Sequence, residues 1–263
     1  MTPLAAVVAV AVAMSAVMLG LWLFALRRHE ADAVDLGWTA GLGAAALFYA
    51  IALDGGVTGR RWLVAAMAGL WSGRLALYLW RRVLAEGEDG RYRELRRKWG
   101  DRARTRFFLF FQAQGLLVAL LSLHFMIAML ARSEPVGWLD ALGALILLTS
   151  VVGESIADRQ LERWRNDPSK QGRVCKEGLW RYSRHPNYFF EWFHWLAYIP
   201  LTIGTAWLPA MFVAPTILLL LIVFVTGIPP TEAQSLRSRG EAYREYQRTT
   251  SAFFPWFPKE DAA

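Results

Sequence analysis

One stretch concentrates the side chains able to do chemistry. From 178 to 191 the chain reads GLWRYSRHPNYFFE, which puts Arg181, Tyr182, Arg184, His185, Asn187, Tyr188 and Glu191 in one short run. Apolar runs lie on both sides of it. A polar, hydrogen-bond-rich segment at a membrane boundary is costly unless it lines a cavity or binds something. Pro186 disfavours helix at His185 and suits the first turn of a helix that starts just after it. Residues 181–185 therefore read as a connector and Asn187 as the start of a membrane helix. The unpaired N–H groups and positive dipole end of such a start suit a phosphate or another anion.

Other ionisable residues lie at or near membrane depth. Arg74 has Tyr78 one turn later on the same helix face. An arginine there needs an anionic partner, which is either a ligand or a structural carboxylate such as Asp35 or Glu154. Glu154 and Asp158 are four apart and share a face, and Arg165 follows Asp158 by one heptad. Two like charges one turn apart repel unless cations or ligand donors lie between them. Interfacial solvation of Asp158 is the plainer alternative. Glu191 shares a face with Asn187, whereas His194 reads as a packed core histidine. With four histidines and the single Cys175, no set has metal-ligand spacing, and no metal and no disulfide are expected. Phosphate-binding Gly-rich loops and nucleophile elbows of soluble folds are absent.

The elements that must position these residues are membrane helices. The chain is 55% hydrophobic with mean hydropathy +0.26 over 263 residues. The expected class is an all-α, polytopic membrane bundle forming a single domain over 1–263, with its motif core at 150–258. Seven spans are expected: 1–26, 34–53, 62–80, 107–130, 136–157, 187–204 and 207–227. Alternate loops and the tail (27–33, 81–106, 158–185 and from 228 on) carry 25 of the 29 Lys and Arg. That bias places them in the cytoplasm and the N-terminus outside. The net charge of +7 thus reads as membrane topology rather than nucleic-acid binding. Trp62, Trp138 and Trp207 fall at span ends as an aromatic belt. Gly41 and Gly43 read as close-packing helix residues. The mixed charges of EGEDGRYRELRRKWG suggest an amphipathic helix lying on anionic lipid.

At GLWRYSRHPNYFFE and the later GEAYREYQRTTSAFFPWFP, the chain resembles a bacterial member of the DUF1295 family, similar to the C-terminal region of steroid 5α-reductases. The resemblance implies a seven-helix bundle that holds NADPH from the cytoplasmic side and admits a lipid-like enone from the bilayer. It implies cofactor contacts by Arg74, Asp158, Arg165, Asn187, Tyr188 and Glu191, with Gln114 and Gly115 matching a Gln-Gly pair on the fourth helix. Glu154 stands where that family has an asparagine, and Trp71 stands where steroid reductases have a catalytic tyrosine. Thr231 and Gln234 stand where they have Arg and His. Isoprenylcysteine carboxyl methyltransferases carry a similar RHP-x-Y stretch.

Two enzymatic readings follow, and a third in which the fold is kept without activity. The first is an NADPH-dependent reductase of a conjugated C=C bond in a lipid-soluble substrate, in the bacterial inner membrane. Asp35, Tyr78 and Tyr188 are its proton-donor candidates, and Arg74, Arg165, Arg181 and Arg184 hold phosphates. Glu154, Tyr182, His185 and Glu191 complete the expected cofactor surface. The second is an S-adenosylmethionine-dependent methyltransferase of a membrane-embedded acceptor, in which Glu154 and Glu232 bind a ribose or an ammonium.

Overall fold

The structure, a computed structural model, describes residues 1–86 and 88–259, with side chains outside 82–86. Gly87 of the expected amphipathic stretch lies outside the described residues. The chain is all-helical. Its helices are α1 (Pro3–Arg28), α2 (Ala33–Ala52), α3 (Thr58–Glu86), α4 (Gly90–Trp99), α5 (Ala103–Leu130), α6 (Trp138–Asn166), α7 (Pro186–Leu196), α8 (Val213–Leu220), α9 (Ile228–Arg239) and α10 (Glu241–Thr249). Among the described residues, six helical stretches are long and apolar enough to cross a membrane: Pro3–Arg28, Ala33–Ala52, Thr58–Arg81, Gly90–Leu130, Trp138–Asn166 and Leu208–Arg239. The protein is thus a polytopic helical membrane protein.

Two of the changed boundaries bear on the candidate residues. The helix expected to end at 157 continues to Asn166, so Asp158 and Arg165 stand on α6 and not in a loop. Nothing in its sequence stops it before Pro168. The segment expected as a span over 187–204 forms only the 11-residue α7. At 1.5 Å per residue that is about half of a hydrocarbon core of roughly 30 Å. Pro200 disfavours helix at Ile199, and Gly204 turns with φ +84°.

The chain divides into two compact units, Met1–Asp140 with Leu201–Met211, and Ala141–Pro200 with Phe212–Ala263. In the first unit, α1 starts at Thr2, whose hydroxyl accepts from the Ala5 N–H at 3.3 Å, with Pro3 at the first helical position. Helix α2 packs on α3, and α1 on α5. The core holds Met18, Leu42, Tyr49, Trp71, Phe111 and Phe125. Small residues let these helices meet. A β-carbon on Gly41 would stand 2.5 Å from the Met14 methyl, and one on Gly43 would stand 2.3 Å from the Ser72 hydroxyl.

At one end of this unit, Arg60 is almost completely buried, at 1% exposure. Its Nε and Nη2 fork onto Asp140 at 2.6 and 3.0 Å. The remaining donors go to the carbonyls of Arg132, Glu134 and Pro135 at 3.1–3.3 Å. Asp140 also accepts from the Gly137 N–H at 2.9 Å. Every guanidinium nitrogen is used, which is what a buried charge requires.

The second unit contains most of α6, all of α7–α10 and the aromatic tail. Helix α8 runs into a wide π-type turn at Leu221–Val225. There the Thr226 N–H reaches back to Leu221 O at 2.7 Å. Gly227 must follow, since a β-carbon there would lie 2.7 Å from the Ile222 carbonyl.

Arg60→Ala leaves Asp140 buried without its countercharge and is expected to cost about 3–5 kcal/mol. Thermal unfolding in detergent checks this. The double variant Arg60→Met with Asp140→Leu is expected to recover most of the loss.

Candidate functional site

The motif at 178–191 is built into the second unit by a network that its sequence only half reveals. Gly178 (φ +58°) opens a short 3-10 turn to Arg181. The turn is pinned to α6 by the Leu179 N–H on Gln160 Oε1 and the Trp180 indole on Ala157 O, both at 2.9 Å. Arg184 then fastens the C-terminal tail. Its Nε donates to Glu232 Oε1 at 2.7 Å, and its Nη1 donates to Gln247 O and Thr250 O at 3.0 and 2.6 Å. The backbone adds Arg184 N–H to Ser251 O at 2.8 Å and Trp256 N–H to Tyr182 O at 2.9 Å. The Ser183 hydroxyl donates to Phe253 O at 2.9 Å, and Tyr246 donates its phenol to Trp180 O.

Glu232 is the hub. It receives Arg184, His185 Nε2 at 3.2 Å and Gln247 Nε2 at 2.7 Å. His185 is buried, and burial pulls its imidazole below the ordinary 6.5 against the opposing pull of Glu232. It is therefore a neutral donor at pH 7. Its ring stacks on Tyr188 with centroids 5.3 Å apart and planes 5° apart.

Beyond Pro186 the polar residues change character. Asn187 Nδ2 donates to Asp158 Oδ1 at 3.4 Å, which joins the first turn of α7 to α6. Asp158 and Glu154 are both buried on α6. Tyr188 shares a hydrogen bond with Thr231 at 3.2 Å. Glu191 is half-buried, one turn after Asn187. Arg165 and Arg181 are exposed. Tyr182 packs edge-on against Phe257 at 6.0 Å.

The remaining expected residues belong to the first unit. The Arg74 guanidinium lies 5.6 Å from the Tyr78 ring centroid. Gln114 is half-buried on α5, beside Gly115, which sits against the Met14 backbone. Asp35 accepts from the Tyr92 hydroxyl at 2.7 Å and from Arg91 Nη2 at 3.2 Å. Here the carboxylate is the acceptor and the phenol the donor. Sequence reasoning missed Tyr92, which is 4% exposed on a helix rich in charged residues. An aromatic three positions after Asp89 was the available signal, because Asp89 starts α4 by capping Arg91 at 2.8 Å. Cys175 is buried, and burial pushes its thiol up, as for an inert structural cysteine. Among the described residues no cluster of three His, Cys, Asp or Glu side chains is placed to hold a metal.

Burial of His185 makes the stability of the fold depend on pH. A histidine held neutral in the fold takes up its proton only below 6.5, while the unfolded chain takes one up near 6.5. Its contribution is intact above that value and is lost as the pH falls below it. The melting temperature is expected to drop between pH 7 and 5.5, and the drop is expected to shrink in His185→Gln. Melting curves of both proteins across that range check it.

A family model described as "Protein of unknown function (DUF1295)" matches residues 21–250. Among curated proteins and among solved structures, nothing matches the chain. The match covers most of the sequence and includes the whole of the 178–191 motif, so the chain belongs to the DUF1295 family.

Proposed function

We propose that this protein is a membrane-embedded, NADPH-dependent reductase of a conjugated C=C bond in a lipid-soluble substrate, in the bacterial cell membrane. The carrying observation is the meeting of Asn187 and Asp158, whose side chains are 3.4 Å apart across 29 positions of sequence. Both are positions at which the resemblance to steroid 5α-reductases expects a cofactor contact. Between them they offer an amide and a carboxylate suited to ribose hydroxyls or a carboxamide. Arg165 and Arg181, both exposed, offer the forks that phosphates need. In this reading the basic segment 158–185, which holds eight Lys and Arg, faces the cytoplasmic cofactor pool.

NADPH, when bound, supplies hydride to the β-carbon of an enone. The protein's own task is to hold the substrate carbonyl and deliver a proton as negative charge develops there. Tyr188 is the assigned donor. It is the residue after Asn187, its ring is fixed against His185, and its hydroxyl exchanges a hydrogen bond with Thr231. Arg184 leaves the expected phosphate-binding set, because Glu232 and two tail carbonyls use its donors. The same commitment weighs against the S-adenosylmethionine-dependent methyltransferase. That reading gives Glu232 a ribose or an ammonium, and here Glu232 serves Arg184, His185 and Gln247.

Reconstituted protein is expected to oxidise NADPH when supplied with hydrophobic enones of graded size. Tyr188→Phe is expected to slow turnover by roughly 10²–10⁴-fold, the usual loss for a positioned acid, with cofactor binding retained. NADPH consumption followed by absorbance checks both. Methyl transfer from S-adenosylmethionine with no NADPH oxidation would replace this reading by the other.

A further inference from the structure

The outward face of α6 carries a groove lined by none of the residues assigned to the cofactor or to proton donation. The groove is open, has a volume of about 470 Å³, and is lined by apolar groups with one hydroxyl, from Thr149. Leu148, Val152 and Ile156, at successive turns of α6, form one wall and are 50%, 54% and 38% exposed. Phe190 of α7 is pressed against Gly153, where a β-carbon would stand 2.4 Å from the ring, so only glycine leaves this floor open. Leu179 lines the same groove. The bonds from Leu179 N–H to Gln160 and from Trp180 to Ala157 place it at the C-terminal end of the α6 stripe.

The stripe then changes from apolar to basic. Arg159 comes one turn after Ile156 and Arg163 one turn after that, and both are exposed. The Arg159 side chain does not extend away. Its Nε donates back to Ser155 O at 3.0 Å, which turns the side chain back along α6 toward the turn that carries Ile156. An apolar groove of this size, with an arginine one turn beyond its last α6 wall residue, has the volume of a small-molecule site. It also has the polarity of a lipid with a negative headgroup.

We infer that this groove is a selective site for an anionic phospholipid, with one acyl chain along Leu148, Val152 and Ile156 and the phosphate at Arg159. Charge complementarity separates it from ordinary lipid contact, because an apolar face alone takes any acyl chain while Arg159 favours a net-negative headgroup. The inference is independent of the reductase reading, since neither Arg159 nor Val152 takes part in the proposed cofactor or proton-donor set.

The test uses full-length protein reconstituted in vesicles of phosphatidylethanolamine and phosphatidylglycerol with matched acyl chains, then extracted mildly and weighed by native mass spectrometry. Retained lipid is expected to favour phosphatidylglycerol by about fivefold over the bulk, as one arginine near a headgroup gives. Arg159→Gln is expected to keep bound lipid and lose the preference. Val152→Trp, which fills the groove from an exposed position, is expected to lower retention of both lipids. Retained lipid matching the bulk composition in the unaltered protein would overturn the inference. So would an undiminished preference in Arg159→Gln, or unchanged retention in Val152→Trp.

Discussion

The ion pair between Arg184 and Glu232 is the contact on which the second unit depends. It joins the connector before α7 to α9, and through the carbonyls of Gln247 and Thr250 it also holds the end of α10 and the tail. Those carbonyls belong to the last turn of a helix and the residue after it, groups that have no partner within the helix. The arginine thus satisfies backbone acceptors and a carboxylate together, which offsets the cost of its own desolvation. Around it, Ser183, Tyr246 and the Trp256 N–H tie the same segments, so the irregular aromatic tail is held in one conformation. Removing one partner would leave the other charge largely buried, and the surrounding hydrogen bonds would lose their register.

This arrangement splits the motif in two. Arg184 and His185 look inward to Glu232 and hold the fold. Asn187 and Tyr188, on the far side of Pro186, bond to Asp158 and Thr231 instead. Pro186 is the pivot, because it lets His185 stay non-helical while starting α7 in the next residue. A short helix suits the role. Its first turn presents the polar residues, and Phe189 and Trp192 follow on its body, packed against Phe253 and Phe254 of the tail.

Much of this was legible in the sequence, for physical reasons. Long apolar runs have few alternatives to membrane helices, so α1, α2, α3, α5 and α6 follow from hydropathy. Close packing at Gly41 and Gly43 follows from their place in such helices. The reach of α6 was misjudged because hydropathy reports the bilayer, not the helix, and the polar turns beyond 157 keep good helix formers. The segment 187–204 has enough apolar residues for a span, but Pro200 and Gly204 act on backbone geometry, which hydropathy does not see. Long-range polar pairing was not legible at all. Arg60 was only a loop charge until Asp140, 80 positions away, closed on it. Tyr92 was part of a surface helix until Asp35 accepted its hydroxyl, and Glu232 was a possible ligand group until Arg184 claimed it.

The division of the motif is the central claim, and one comparison tests it most directly. Melting temperature is measured with and without NADPH for the unaltered protein, Arg184→Gln and Asn187→Ala. A ligand that binds only the folded state raises the melting temperature by mass action. The account predicts that Arg184→Gln melts well below the unaltered protein without ligand. It predicts that Asn187→Ala melts close to the unaltered protein and loses the NADPH-induced rise. An Arg184→Gln protein of undiminished stability that no longer responds to NADPH would contradict it. So would an Asn187→Ala protein that keeps the full response.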